Sequence, residues 1–113
     1  MRMTKILNVE MLENLREIMG PDFPKLIFTY LKDAEFRLAE LNAFMNRKDI
    51  DAVRRILHGL KGSSLNIGAE SFAGRCAKAE EAILEGRMQD LPALVAPLKS
   101  EFQLIKSTLF SIV

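Results

Sequence analysis

Residues 49–69, DIDAVRRILHGLKGSSLNIGA, carry the pattern that decides the fold. Their apolar side chains recur at steps of three and four residues, which is the period of an α-helix with one buried face. Asp49 is a favourable N-cap and Gly68 a favourable left-handed stop, so the stretch predicts a helix between them. The residues expected on its buried stripe are Ile50, Val53, Leu57, Leu60, Ser64 and Ile67.

The rest of the chain repeats this helical spacing between breaks that contain Gly, Pro or Asn. We predict a short first helix from about Asn8 to Met19 and a long second helix over Asp22–Lys48. A fourth helix opens at Ala69, and a fifth covers Leu91–Leu109 with a kink or a delayed start near Pro97. No segment alternates like a strand, and short connections favour antiparallel neighbours. The expected fold is therefore all-α, an antiparallel four-helix bundle with a short additional N-terminal helix.

Three details of these helices are also predicted. Ile18 is expected on the inner stripe of the first helix because it continues the spacing of the preceding apolar residues. Asp22 and Asp90 are expected to cap the second and fifth helices through their carboxylates, because each is followed by a proline in the first turn.

Length and composition restrict what kind of protein this is. The chain has 113 residues, of which 49% are apolar and 27% charged, so a single folded domain over residues 1–113 is expected. The net charge is +1 and the basic residues are scattered, which argues against nucleic acid as a partner. No apolar run approaches the ~20 residues of a membrane span, and Met1–Lys5 lacks the features of a secretory signal, so we expect a cytoplasmic protein. Met1 and the lack of linkers favour a free-standing protein over a domain excised from a larger one. A lone Cys76 and a single histidine offer no disulfide and no metal-ligand spacing, so no metal is expected.

The single histidine, His58, lies on the third helix but outside its apolar stripe. At about 100° per residue, it falls on nearly the opposite side from that stripe and should face solvent. One or two turns away along the same outer face are Asp51, Arg54, Arg55, Lys61, Gly62 and Leu65.

Two glycines interrupt this otherwise favourable helix close to His58. A glycine inside a helix costs roughly 1 kcal/mol relative to alanine, which suggests that Gly59 and Gly62 serve a purpose. Gly62 lies one turn beyond His58 and leaves the backbone bare, so a group attached to the imidazole, or a partner's loop, could approach closely. Gly59 points to the side of the helix, where local packing is the only role that the sequence suggests.

The residue types around His58 suit covalent transfer of a phosphoryl group. An imidazole titrates near neutrality, and its neutral ring nitrogen can attack phosphorus. Lys61, three residues on, presents an ammonium group within reach of the oxygens of a phosphoryl group on the ring. Spacing alone favours a plain surface histidine beside a solvated lysine. Ser63 and Ser64 are compatible with helix-surface or back-bonding hydroxyls.

The segment Leu57-His58-Gly59-Leu60-Lys61-Gly62-Ser63-Ser64, followed by Ile67-Gly68-Ala69 and later by Ala79-Glu80, resembles the signature of histidine-containing phosphotransfer (HPt) domains of bacterial two-component phosphorelays. The resemblance is densest over about twenty-five residues, and the helix layout extends it over nearly the whole chain. The chain departs from the family at Gly59, where Thr, Ser or another side chain is more usual.

The resemblance implies a role for each residue of this segment. His58 would be the phosphoacceptor, Lys61 would hold or orient the phosphoryl group, and Gly62 would keep the approach open. Ser63 and Ser64 would complete the helix face and its packing. The chain would accept a phosphoryl group from a receiver-domain aspartate and pass it to another receiver domain. The family uses no cofactor of its own, because the Mg²⁺ belongs to the partner receiver.

The sequence is compatible with three functions. The expected one is a phosphohistidine carrier without autonomous catalytic activity, whose partners are receiver domains of response regulators or hybrid histidine kinases. The alternative is an interaction module of the same fold that binds a receiver or histidine kinase without taking phosphate. An acid–base enzyme would need a concave pocket, whereas the outer face of a bundle helix is convex. Docking candidates are Arg54, Arg55 and Leu65, and a monomer is expected because the bundle uses all the apolar stripes.

Overall fold

The computed structural model describes residues 6–113; Met1–Lys5, the segment expected to lack a secretory signal, lies outside them. Within residues 6–113 the chain forms helices and no strand. In chain order these are α1 (Val9–Met19), α2 (Phe23–Arg47), α3 (Ile50–Asn66), α4 (Glu70–Leu84), α5 (Leu91–Val95) and α6 (Leu98–Ile112). The predicted all-α fold is confirmed.

Both ends of α3 have the capping interactions that the sequence predicts. The Asp49 side chain accepts a hydrogen bond from the Ala52 amide at 3.2 Å, as predicted. Gly68 ends the α3 segment with φ of 81°, and its carbonyl accepts the Asn8 amide at 2.8 Å. The Asn8 side chain in turn caps α1, so the start of α1 is joined to the α3–α4 turn.

Other details differ from the sequence-based expectations. Ile18 was expected to be buried but is 80% exposed. Residues Gly20–Asp22 form a 3-10 turn, and the Asp22 carboxylate caps no amide of α2. The Asp90 carboxylate instead accepts a hydrogen bond from Arg87, and caps no amide of α5. The predicted break near Pro97 is present, because α5 ends at Val95 and α6 begins at Leu98.

The four long helices α2, α3, α4 and α6 form the bundle. α3 packs against α2 and α4, while α6 packs against α4 and α2. Short turns at 48–49 and 67–69 make the neighbours in each connected pair antiparallel. The aromatic rings of Phe72 and Phe102 lie 6.1 Å apart at the centre of this core. The largest fully buried side chains are Phe72, Phe102, Leu12, Ile27, Leu41, Leu57, Leu60, Leu98, Ile105, Leu109, Val53 and Cys76.

No helix within residues 6–113 is long and apolar enough to cross a membrane. Neighbouring helices pack against α3 on both sides. The residues on its outer face are therefore held in fixed positions.

Candidate functional site

His58 lies in the middle of α3 and projects away from the core. Its neighbours Leu57 and Leu60 are fully buried, whereas the His58 side chain is 65% exposed. The helical wheel predicted this orientation, since the stripe of apolar residues fixes which side of α3 faces inward. An imidazole in this position is accessible to a large partner and is anchored on a helix whose rotation is fixed by packing.

Glu80 of α4 holds the inner edge of the imidazole ring. Its Oε2 atom lies 3.0 Å from His58 Nδ1, and its side chain is only 10% exposed. A carboxylate can only accept a hydrogen bond, so the Nδ1 atom carries the proton and donates it. In the neutral ring the other nitrogen, Nε2, therefore keeps its lone pair for attack on an electrophile.

Lys61 shares the same carboxylate. Its Nζ atom lies 3.2 Å from Glu80 Oε1, and the lysine side chain is 30% exposed. The His58 and Lys61 side chains of α3 are thus both attached to one buried anion contributed by α4. The ammonium group is placed near His58 by this contact, as well as by the helical spacing of three residues.

The two glycines have different surroundings. A Cβ atom at Gly62 would meet no atom within 4 Å, so the backbone one turn beyond His58 is open to an approaching group. A Cβ atom at Gly59 would overlap Nη1 of Arg37 and would lie 3.0 Å from Cζ of that residue. The unexplained glycine of the sequence therefore makes room for the guanidinium group of Arg37, which comes from α2.

Ser63 and Ser64 lie outside the exposed site. Ser64 is fully buried, and its hydroxyl forms a 2.8 Å hydrogen bond with the Tyr30 hydroxyl of α2. Burial raises the pKa of Tyr30 to about 12. The Ser63 hydroxyl donates to the Leu60 carbonyl at 3.4 Å. Ser64 therefore attaches α3 to α2, whereas Ser63 bonds only within its own helix.

The candidate docking residues extend along the exposed face of α3. Arg54 and Arg55 both form ion pairs with Asp51 one turn earlier, at 3.5 Å for Arg54. Leu65 is 46% exposed and lies two turns beyond His58. Along the axis of α3, the apolar Leu65 side chain therefore lies on the C-terminal side of His58, and the charged Arg54 and Arg55 lie on its N-terminal side.

Two residues near His58 were not identified as functional from the sequence. Glu80 belongs to the quoted Ala79-Glu80 motif, but nothing in the spacing connects it with a histidine 22 residues earlier. A signal was present, because Glu80 follows the buried Cys76 by four residues and so falls beside the apolar stripe of α4. A charged residue at such a position is rarely buried without a partner. Arg37, on an exposed part of α2, gave no comparable signal.

Comparison with known proteins agrees with this geometry. The family model of the Hpt domain matches residues 25–108. The crystal structure of histidine-containing phosphotransfer protein B (HptB) from Pseudomonas aeruginosa PAO1 is similar with a TM-score of 0.89. That similarity has 34% sequence identity and covers 94% of this chain and 92% of the HptB chain. A search of curated proteins gave no significant match. The chain therefore belongs to the Hpt domain family, whose members carry phosphoryl groups in two-component signal transduction.

Proposed function

We propose that this protein accepts a phosphoryl group on His58 from a receiver-domain aspartate and passes it to another receiver domain. The observation that supports this most directly is the orientation of the ring. Nδ1 is hydrogen-bonded to the buried Glu80, so Nε2 is the nucleophilic nitrogen of an exposed imidazole on a rigid helix. Phosphoryl transfer depends mainly on positioning and charge neutralisation, and both are available here.

In the accepting step, Nε2 forms a bond to phosphorus as the bond between phosphorus and the receiver carboxylate oxygen breaks. The receiver aspartate leaves as its carboxylate, and Nδ1 keeps its proton throughout. The ring gains positive charge as the new bond forms, and the Glu80 carboxylate at 3.0 Å stabilises that charge through the Nδ1 hydrogen bond. The donating step is the reverse reaction with a second receiver aspartate.

Lys61 contributes a positive charge for the phosphoryl oxygens. In the unphosphorylated protein its Nζ atom pairs with Glu80, and the flexible side chain can turn outward by rotation about its own bonds. Gly62 leaves room for the phosphoryl group and for the partner's active-site loops, because an added Cβ atom would meet nothing within 4 Å beyond its own turn of helix.

The partners that this proposal requires are receiver domains of response regulators or hybrid histidine kinases. They would dock over the exposed face of α3 through Leu65, Arg54 and Arg55, with a small apolar centre and a charged rim that suit a transient complex. The chain would act as a monomer and as a carrier without autonomous catalytic activity. It would need no cofactor, because the receiver would supply the Mg²⁺.

The test is transfer from a phosphorylated receiver domain to the full chain, with His58→Gln as the matched variant. Transfer should yield a label that is acid-labile, alkali-stable and absent from His58→Gln. Circular dichroism of the variant controls for folding, and no loss is expected because the His58 side chain is 65% exposed. Receiver binding without transfer to the wild-type chain, across a panel of receivers, would instead identify an interaction module of the same fold.

A further inference from the structure

The charges around His58 are already paired before any phosphoryl group arrives. Lys61 contacts Glu80, while Arg54 and Arg55 contact Asp51. A phosphoryl group brings about −1.5 to −2 charges at neutral pH. Since the Glu80 carboxylate remains beside Lys61, a single ammonium group leaves the phosphorylated site with an excess of negative charge. A second cation near His58 would reduce that excess.

Arg37 of α2 has the geometry of such a cation. Its Nε atom forms an ion pair with the Asp33 carboxylate at 2.8 Å, so one edge of the guanidinium group is already paired. Its Nη1 and Nη2 groups have no hydrogen-bond acceptor among residues 6–113. The side chain as a whole is 35% exposed, and guanidinium N–H groups are strong donors to anions such as a phosphoryl group.

Gly59 places this guanidinium group against the residue that follows His58. On a helical wheel, Gly59 lies about 100° from His58 on one side, and Lys61 lies about 60° away on the other. The contacts agree with this arrangement, because Gly59 faces Arg37 of α2 whereas Lys61 faces Glu80 of α4. Arg37 and Lys61 therefore flank His58 from opposite sides.

The guanidinium group also has room to move. Arg37 and Arg55 both line an open cleft of about 370 Å³ between α2 and α3. Any side chain at Gly59 would occupy the place of Nη1, so the glycine is the condition for this arrangement. The helical glycine of α4, Gly74, differs in that an added Cβ atom would meet nothing within 4 Å.

We propose that Arg37, seated over Gly59, is a second phosphoryl-binding cation that contacts the group on His58 from the side opposite Lys61. This inference rests on the proposed function, since it requires His58 to be the phosphoacceptor. It goes beyond that function by assigning a role to a residue of α2, and it explains why this chain has glycine next to its histidine.

The test uses a donor that needs no receiver, so that an effect on docking cannot contribute. Phosphoramidate is such a donor, since it transfers its phosphoryl group to an imidazole nitrogen and releases ammonia. The full chain and its Arg37→Gln, Arg37→Lys, Gly59→Ala and Gly74→Ala variants are compared by the initial rate of His58 phosphorylation. Arg37→Gln and Gly59→Ala should both be slower by about two- to fivefold, the size expected for one partly exposed charge contact.

The other variants separate charge from packing. Arg37→Lys should recover part of the rate because it keeps the positive charge, and Gly74→Ala should match the wild type. Thermal unfolding is measured for each variant, so that a rate loss caused by unfolding is recognised. Arg37→Gln at the wild-type rate would overturn the inference, even if transfer from a receiver were slower. A wild-type chain that is labelled neither by phosphoramidate nor by a receiver would refute the proposed function itself.

Discussion

The contact between Glu80 and His58 leads to a quantitative prediction for the Glu80→Gln variant. Glutamine keeps the shape of the side chain but removes its charge. Its amide can also donate to Nδ1, which would move the ring proton to Nε2 and remove the lone pair that attacks phosphorus. The variant should therefore transfer phosphoryl groups more slowly, although its α4 helix and core remain intact.

The size of the effect follows from the geometry. A hydrogen bond to a charged group contributes about 1.5–3 kcal/mol, and because the His58 side chain is 65% exposed we take about 1–2 kcal/mol as the loss. That loss corresponds to a transfer rate roughly five- to thirtyfold lower. Glu81→Gln is the matched control, since it makes the same change at the next residue of α4, which is exposed.

Two measurements test this prediction. Single-turnover transfer from a phosphorylated receiver gives the rate, and ¹⁵N NMR of the imidazole ring reports which nitrogen carries the proton. The wild-type ring should be protonated on Nδ1, and the variant should lose that preference. Equal rates for Glu80→Gln and Glu81→Gln, with the same ring tautomer, would refute the role assigned to Glu80.

Three further predictions concern stability. Tyr30→Phe should lower the unfolding free energy by about 1 kcal/mol, because it removes the buried hydrogen bond with Ser64. Urea denaturation of Tyr30→Phe, Ser64→Ala and the double variant should show that the two changes are coupled, and additive changes in unfolding free energy would contradict this. Phe102→Ala should cost about 3–5 kcal/mol in the same assay, whereas Phe36→Ala, at a side chain that is 63% exposed, should cost under about 0.5 kcal/mol. Burial raises the pKa of Cys76 from 9.0 to about 12, so its contribution to stability is complete below pH 9 and is lost as the pH rises toward 12. The unfolding free energy should thus fall more steeply between pH 9 and 10.5 in the wild type than in Cys76→Ala, and parallel slopes would contradict the shift.

The sequence predicted the helices well because their signals are local. Periodic apolar residues, the Asp49 cap and the Gly68 stop each act within one or two turns of the backbone, and the α3 bounds agree with the structure. The failures also have local causes. Ile18 continues the apolar spacing but lies about 120° around α1 from the buried Leu12, and the next residue, Met19, packs against the core instead.

The sequence also determined which way His58 faces, since the buried stripe of α3 fixes the rotation of the helix about its own axis. It could not show what lies beside the histidine. Glu80 and Arg37 belong to α4 and α2, and they contact α3 because of the way these helices are shifted along and rotated about their axes relative to α3. That shift and rotation depend on how the side chains of the whole core pack together, and the periodicity of one segment contains no information about them. The outward-facing His58 and its neighbour Lys61 could thus be predicted from the sequence. Only the tertiary structure shows that the Glu80 carboxylate orients the imidazole ring and that the Arg37 guanidinium group lies over Gly59.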